Sequence, residues 1–235
     1  MTTLADLLDA IFDGTKPALY PEFEGWVRES RRFKAFAISY QVKIRAKLKN
    51  VRDDSGMQDL RAELATAALL LREDRFTLEY EKYAASRQRG PDFTVTFKTH
   101  TLFNVEVRRI RSVELDDEDT DARIGKLMAV LCDKVRQMPP SMVNLLWLMA
   151  EREISEADLT HTVVTLRQLA ERKAEDFFTR RGFESAADFL KHYRQLSGII
   201  LHQSGRNVLW QNSLARHKVP SDIVTAIQRL ELNQA

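Results

Sequence analysis

Asp92, Glu106, Arg108 and Glu63 have the residue types and spacing for work on a phosphate group with a divalent cation. Asp92 follows Gly90-Pro91, thirteen residues separate it from Glu106, and Arg108 lies two positions further on. The segments 92–97 and 102–110 alternate apolar and polar residues, which predicts two strands joined by a turn at Lys98-Thr99-His100. With Phe97 opposite Thr101, Val95 meets Phe103, Phe93 meets Val105 and Asp92 meets Glu106. A slip of one residue would set Phe93 and Val95 against Asn104 and Glu106, so burial selects this register. Asp92 and Glu106 are then neighbours on one face, and Arg108 shares it. Opposed carboxylates on paired strands repel, at a cost of up to about 1 kcal/mol. A hard cation offsets that cost, because Mg²⁺ is held by one or two carboxylates together with water and substrate phosphate. Glu63 sits beside Leu60, Leu64 and Ala67 on the inward stripe of a predicted helix, where a carboxylate requires a partner.

Each residue taken singly also has an ordinary reading. Aspartate is common in a turn after proline, and Glu106 with Arg108 fits a solvated strand face. The combination, in a matched register, favours the metal site.

The elements that would position these residues follow from periodicity. A short helix over 3–12 is followed by the breakers Gly14, Pro17 and Pro21, then a helical period from 23 to about 49. A loop at 53–56 precedes a helix over 57–71. Alternation predicts a strand over 75–83, a turn at 87–90, and then the two strands already described. A helix over 120–137 ends at Pro139-Pro140. The apolar run 142–149 reads as a central strand buried on both faces. Two or three helices over 155–196, short strands at 198–202 and 208–210, and a last helix after Val219-Pro220-Ser221 complete the chain. The expected fold is α/β: a mixed sheet covered by helices, with a helical N-terminal extension over 1–55, a main domain over 56–235 and extra C-terminal helices.

Gly90-Pro91-Asp92-Phe93 and Glu106-Val107-Arg108, set in the order helix, three strands, helix, strand over 57–149, resemble the PD-(D/E)xK nuclease superfamily. The resemblance implies a restriction-endonuclease-like fold with an α-β-β-β-α-β core and Mg²⁺- or Mn²⁺-dependent hydrolysis of phosphodiesters, with DNA as the substrate. It implies that Asp92 and Glu106 ligate the metal and that Glu63 contributes directly or through water. Gln137 matches a glutamine carried by some members. The chain departs from the family where lysine usually stands and Arg108 is found. Arginine stabilises negative charge but stays protonated and cannot serve as a base. The alternative reading is therefore a catalytically silent relative that binds nucleic acid or a partner protein. The resemblance also leaves a homodimer open.

Charge is uneven along the chain. Residues 28–52 carry nine bases against Glu29, with Phe33, Phe36 and Tyr40 spaced along one helical face. Arg31, Arg32, Lys43 and Lys47 are candidates for phosphate contacts, against the alternative of a solvated helix face. The acidic run 114–121 has neither the glycine nor the ligand spacing of a calcium loop. Other chemistries lack their residues. The five histidines are scattered without a zinc-binding pair, and no phosphate-binding or dinucleotide-binding glycine motif occurs. The single Cys132 excludes an internal disulfide and points to a reducing, cytoplasmic setting. No apolar run is long enough to span a bilayer, and residues 1–10 lack the basic start of a secretory signal.

Overall fold

The computed structural model describes residues 2–83, 90–111 and 120–230. Five helices come first: α1 (Leu4–Phe12), α2 (Tyr20–Glu29), α3 (Arg31–Ser39), α4 (Gln41–Asn50) and α5 (Asp54–Leu70). Three strands follow, β1 (Phe76–Tyr80), β2 (Phe93–Phe97) and β3 (Thr101–Ile110), then α6 (Thr120–Val135) and β4 (Val143–Ala150). The chain continues through α7 (Glu156–Glu171), α8 (Glu175–Thr179), α9 (Ala186–Tyr193), β5 (Gly198–Gln203), β6 (Arg206–Gln211) and α10 (Ser221–Gln228).

The strands form one mixed sheet in sequence order, β1 to β6. The pairs β1/β2, β2/β3 and β5/β6 are antiparallel, while β3/β4 and β4/β5 are parallel. Alternation along β4 divides the core. Leu145 and Trp147 join the cluster that packs α1–α5 and α10 on one face. Leu146 and Leu148 join the cluster that packs α6–α9 on the other. A strand covered on both sides has to be apolar at successive positions, which is why 142–149 reads as an unbroken run. The β2/β3 register is the expected one: Phe93↔Val105, Val95↔Phe103 and Phe97↔Thr101. Lys98 takes the left-handed conformation in the connecting turn (φ 56°).

The helical period over 23–49 is not one helix. The backbone is extended at Ser30, whose hydroxyl accepts from the Phe33 N–H and starts α3, and it breaks again at Tyr40. Serine competes for the backbone inside a helix but satisfies free N–H groups at its start. The inward stripe survives the breaks, with Phe33, Phe36 and Ile44 all buried. These N-terminal helices share one apolar cluster with β1–β3, so the core is continuous across position 55. Residues 87–89 of the expected turn and residues 114–119 of the acidic run lie outside the described residues. Among the described residues no helix is long and apolar enough to cross a membrane.

Candidate metal and phosphate site

β3 extends past the start of β2, so the segment from Val107 to Ile110 pairs with β4 but not with β2. The gap this leaves holds the candidate site, a small cavity of about 200 Å³ lined by Glu63, Asp92, Glu106, Arg108, Arg109 and Lys134. Asp92 stands one residue before β2, and its Oδ2 accepts from the Val107 N–H at 2.7 Å, a β3 donor that no β2 carbonyl reaches. Just upstream, the Asp92 carbonyl accepts from the N–H of Glu81, which is held at φ 47°. Gly90 is required by contact: a Cβ there would lie 2.6 Å from the Tyr83 side chain.

Burial, then the charge of Glu63, then that of Glu106, hold the Asp92 carboxyl well above the ordinary carboxylate range, against the Val107 N–H and the charge of Lys47. Glu106 is raised too, chiefly by burial, although Lys134 opposes the shift. Its side chain is 5% exposed, and Lys134 Nζ lies 2.7 Å from its Oε1. The two carboxylates thus sit in a dry cleft whose chemistry disfavours their charged forms, the environment a divalent cation reverses.

Glu63 reaches the same cavity, but its carboxylate is engaged. Tyr80 Oη donates to Oε2 at 2.7 Å, and the Lys47 ammonium bonds the same oxygen and Glu81 Oε1. Burial works against the Lys47 charge, but Glu63 and Glu81 outweigh it and push Lys47 up to about 12. Burial and the charge of Glu63 raise the Tyr80 hydroxyl above its usual value. Among the described residues no group of three or more His, Cys, Asp and Glu is arranged as a metal cage. A cation here would have Asp92 and Glu106 as its carboxylate donors, with Glu63 lining the same cavity.

Arg108 lines the cavity as expected. Gln137 lies one turn beyond Lys134 and is not among the residues lining this cavity. Of the four bases assigned to phosphate contacts, Arg31 is exposed. Arg32 donates to the carbonyls of Leu71, Glu73 and Phe76, tying the end of α5 to β1. Lys43 donates to the Tyr80 carbonyl at 2.8 Å. Arg32, Lys43 and Lys47 would have to leave these partners to reach a nucleic acid.

No family model, curated protein sequence or solved structure matches the chain. The site's composition is its own argument.

Two contributors escape a reading by spacing alone. Lys134 falls on the inward stripe of α6, in line with Ile124, Leu127 and Leu131. A lysine on an apolar stripe signals a buried partner. Arg109, with a side chain 9% exposed, bonds Asp59 on α5 (2.8 Å), Glu151 after β4 and Ser55 Oγ, and so locks α5 over the end of β3. Nothing in the local pattern of β3 singles it out.

Proposed function

We propose that the chain is a divalent-metal-dependent nuclease with the restriction-endonuclease-like fold of the PD-(D/E)xK superfamily, hydrolysing phosphodiester bonds of DNA with Mg²⁺ or Mn²⁺. The observation that carries this reading is the convergence of Asp92, Glu106 and Lys134 in the gap between β2 and β3. The order α5-β1-β2-β3-α6-β4 supports it. Asp92 and Glu106 would hold the cation. When bound, it supplies Lewis-acid polarisation of the phosphodiester and neutralises its charge.

The chain's own groups do the rest. Lys134 presents a compact ammonium beside Glu106, where it offsets the negative charge that develops as water attacks phosphorus. It thereby stands in, from a helix, for the lysine that the strand position of Arg108 lacks. Arg108 offers a planar guanidinium to grip the phosphate. Glu63, held by Lys47 and Tyr80, stands behind Asp92 and Glu106 without competing for the cation. Arg31 gives a surface contact to the DNA backbone, and a homodimer would allow both strands to be cut. A cytoplasmic setting suits Cys132, which is buried and whose thiol burial pushes up to about 12, leaving it inert.

A second reading has one observation in its favour. Lys134 and Lys47 already neutralise Glu106 and Glu63 within the chain, as they would in a catalytically silent module that binds nucleic acid or a protein partner. The test is incubation with plasmid, single-stranded and branched DNA in Mg²⁺ and in Mn²⁺, against a chelated control, beside calorimetry of metal binding. Cleavage only with metal supports the nuclease. Neither cleavage nor metal binding, with DNA present, leaves the silent module.

A further inference from the structure

On the other flank of α5 lies a cavity of about 480 Å³, open at the carboxyl ends of the parallel strands β4 and β5. Open α/β sheets take ligands at that edge. Two alanines on α5, Ala65 and Ala68, leave the space; Met149 and His202, from the ends of β4 and β5, lie beside them, and Trp26 and Arg31 stand across from them. None of these residues belongs to the Asp92–Glu106 cavity.

His202 is 6% exposed, and its hydrogen bonds settle its tautomer. Asn207 donates from Nδ2 to the carbonyls of Ile227 (3.2 Å) and Leu230, which leaves its Oδ1 as an acceptor. That oxygen lies 2.8 Å from His202 Nδ1, so Nδ1 carries the proton. Nε2 is then a bare acceptor with no partner among the described residues, on a residue that lines the cavity. It opens to the cavity, where a donor on a ligand can take the place of water. Arg31 is a second group available to a ligand: it is exposed and makes no hydrogen bond or ion pair among the described residues. Its neighbours are committed, Arg61 to Glu22 and Arg32 to three backbone carbonyls. Trp26 is half-buried at the wall and offers an aromatic surface.

The geometry points to a nucleotide site: we propose that this cleft binds a nucleoside monophosphate unit, its base against Trp26 and the two alanines, a base N–H donating to His202 Nε2, and its phosphate on Arg31. A planar body with a donor edge and an anionic tail is the ligand that satisfies all three groups together. The proposal is independent of the metal site and needs no divalent cation.

Calorimetry of the full chain with AMP in chelating buffer, read beside tryptophan fluorescence, tests it. AMP should bind and perturb the tryptophan fluorescence, and Trp26→Phe should remove the larger part of that response; Trp147, whose ring lies 6.1 Å from that of His202, supplies the remainder. Arg31→Ala, an exposed change that leaves the fold alone, should weaken binding about tenfold, as should purine riboside monophosphate, which lacks the donor. Ala68→Met should abolish binding by filling the cleft. No binding of AMP at millimolar concentration, binding unchanged in Ala68→Met, or inorganic phosphate binding as tightly as AMP would each overturn the proposal.

Discussion

Two buried polar clusters lie two residues apart on the same strand, and they are built on opposite principles. At Asn104, the amide oxygen accepts from the Thr94 hydroxyl (2.9 Å), and its nitrogen donates to Asn144 Oδ1 (2.9 Å). Asn144 Nδ2 in turn reaches the carbonyls of Pro139 and Gln195, and its backbone N–H donates to Ser197 Oγ. Every group in this ladder is neutral and partnered, and together they pin β2, β3, β4 and the start of β5 in register. At Glu106, the next residue on the same face, the cluster is ionic. Glu106, Asp92 and Glu63 share one cleft with Lys134, Arg108 and Arg109, and burial makes both Asp92 and Glu106 resist ionisation. A closed neutral network rigidifies a core, whereas a buried charged one whose members resist ionisation costs stability and marks a functional position.

The sharpest break in this comparison is chemical. Asp92→Asn and Glu106→Gln should each abolish metal-dependent cleavage and metal binding by calorimetry, while Asn144→Leu, where folded, leaves metal binding intact. Loss of binding in Asn144→Leu as well would mean that the two clusters act as one.

Removing Lys134 comes next. Lys134→Met leaves Glu106 buried without its cation and should lower stability by about 3 kcal/mol in chemical denaturation. Adding Glu106→Gln should restore most of that loss. An additive double mutant would show that the ion pair contributes nothing.

The ladder should be slightly less costly to break. Asn144→Leu strands the Asn104 amide and three carbonyls, those of Pro139, Met142 and Gln195, and should cost about 2 kcal/mol. A neutral result would move the register's support elsewhere in the sheet.

The smallest effect has the opposite sign. Asp92→Asn should stabilise the metal-free protein by about 1 kcal/mol at neutral pH, by removing one of two opposed carboxylates. Its pH dependence follows from the raised carboxyl. The folded state holds that proton more tightly than the unfolded chain, so the contribution of Asp92 to stability is greatest at low pH. That contribution of Asp92, and not the stability of the whole chain, declines as pH rises from the ordinary carboxylate range, about 4, through the folded value. The asparagine variant should flatten this decline in thermal melts across that window, and an unchanged slope would place the titration elsewhere.

The β2/β3 pairing was legible from the sequence, because strand residues alternate with a period of two and a one-residue slip exposes Phe93 and Val95. The buried centre of β4 was legible for the same reason, since only a strand covered on both faces tolerates so continuous an apolar run. The approach of Asp92 to Glu106 follows from those two facts. The breaks at Ser30 and Tyr40 were not legible, because a hydrophobic stripe keeps its period across a change of axis and only the cap geometry reveals it. Nor could pattern assign Lys47 to Glu63 and Glu81, Lys134 to Glu106, or Arg109 to Asp59. Those pairings join residues 16 to 50 positions apart on separate elements. Local spacing determines which face a side chain occupies, but the charge it meets there depends on how helices cross the sheet, and only the folded chain decides that.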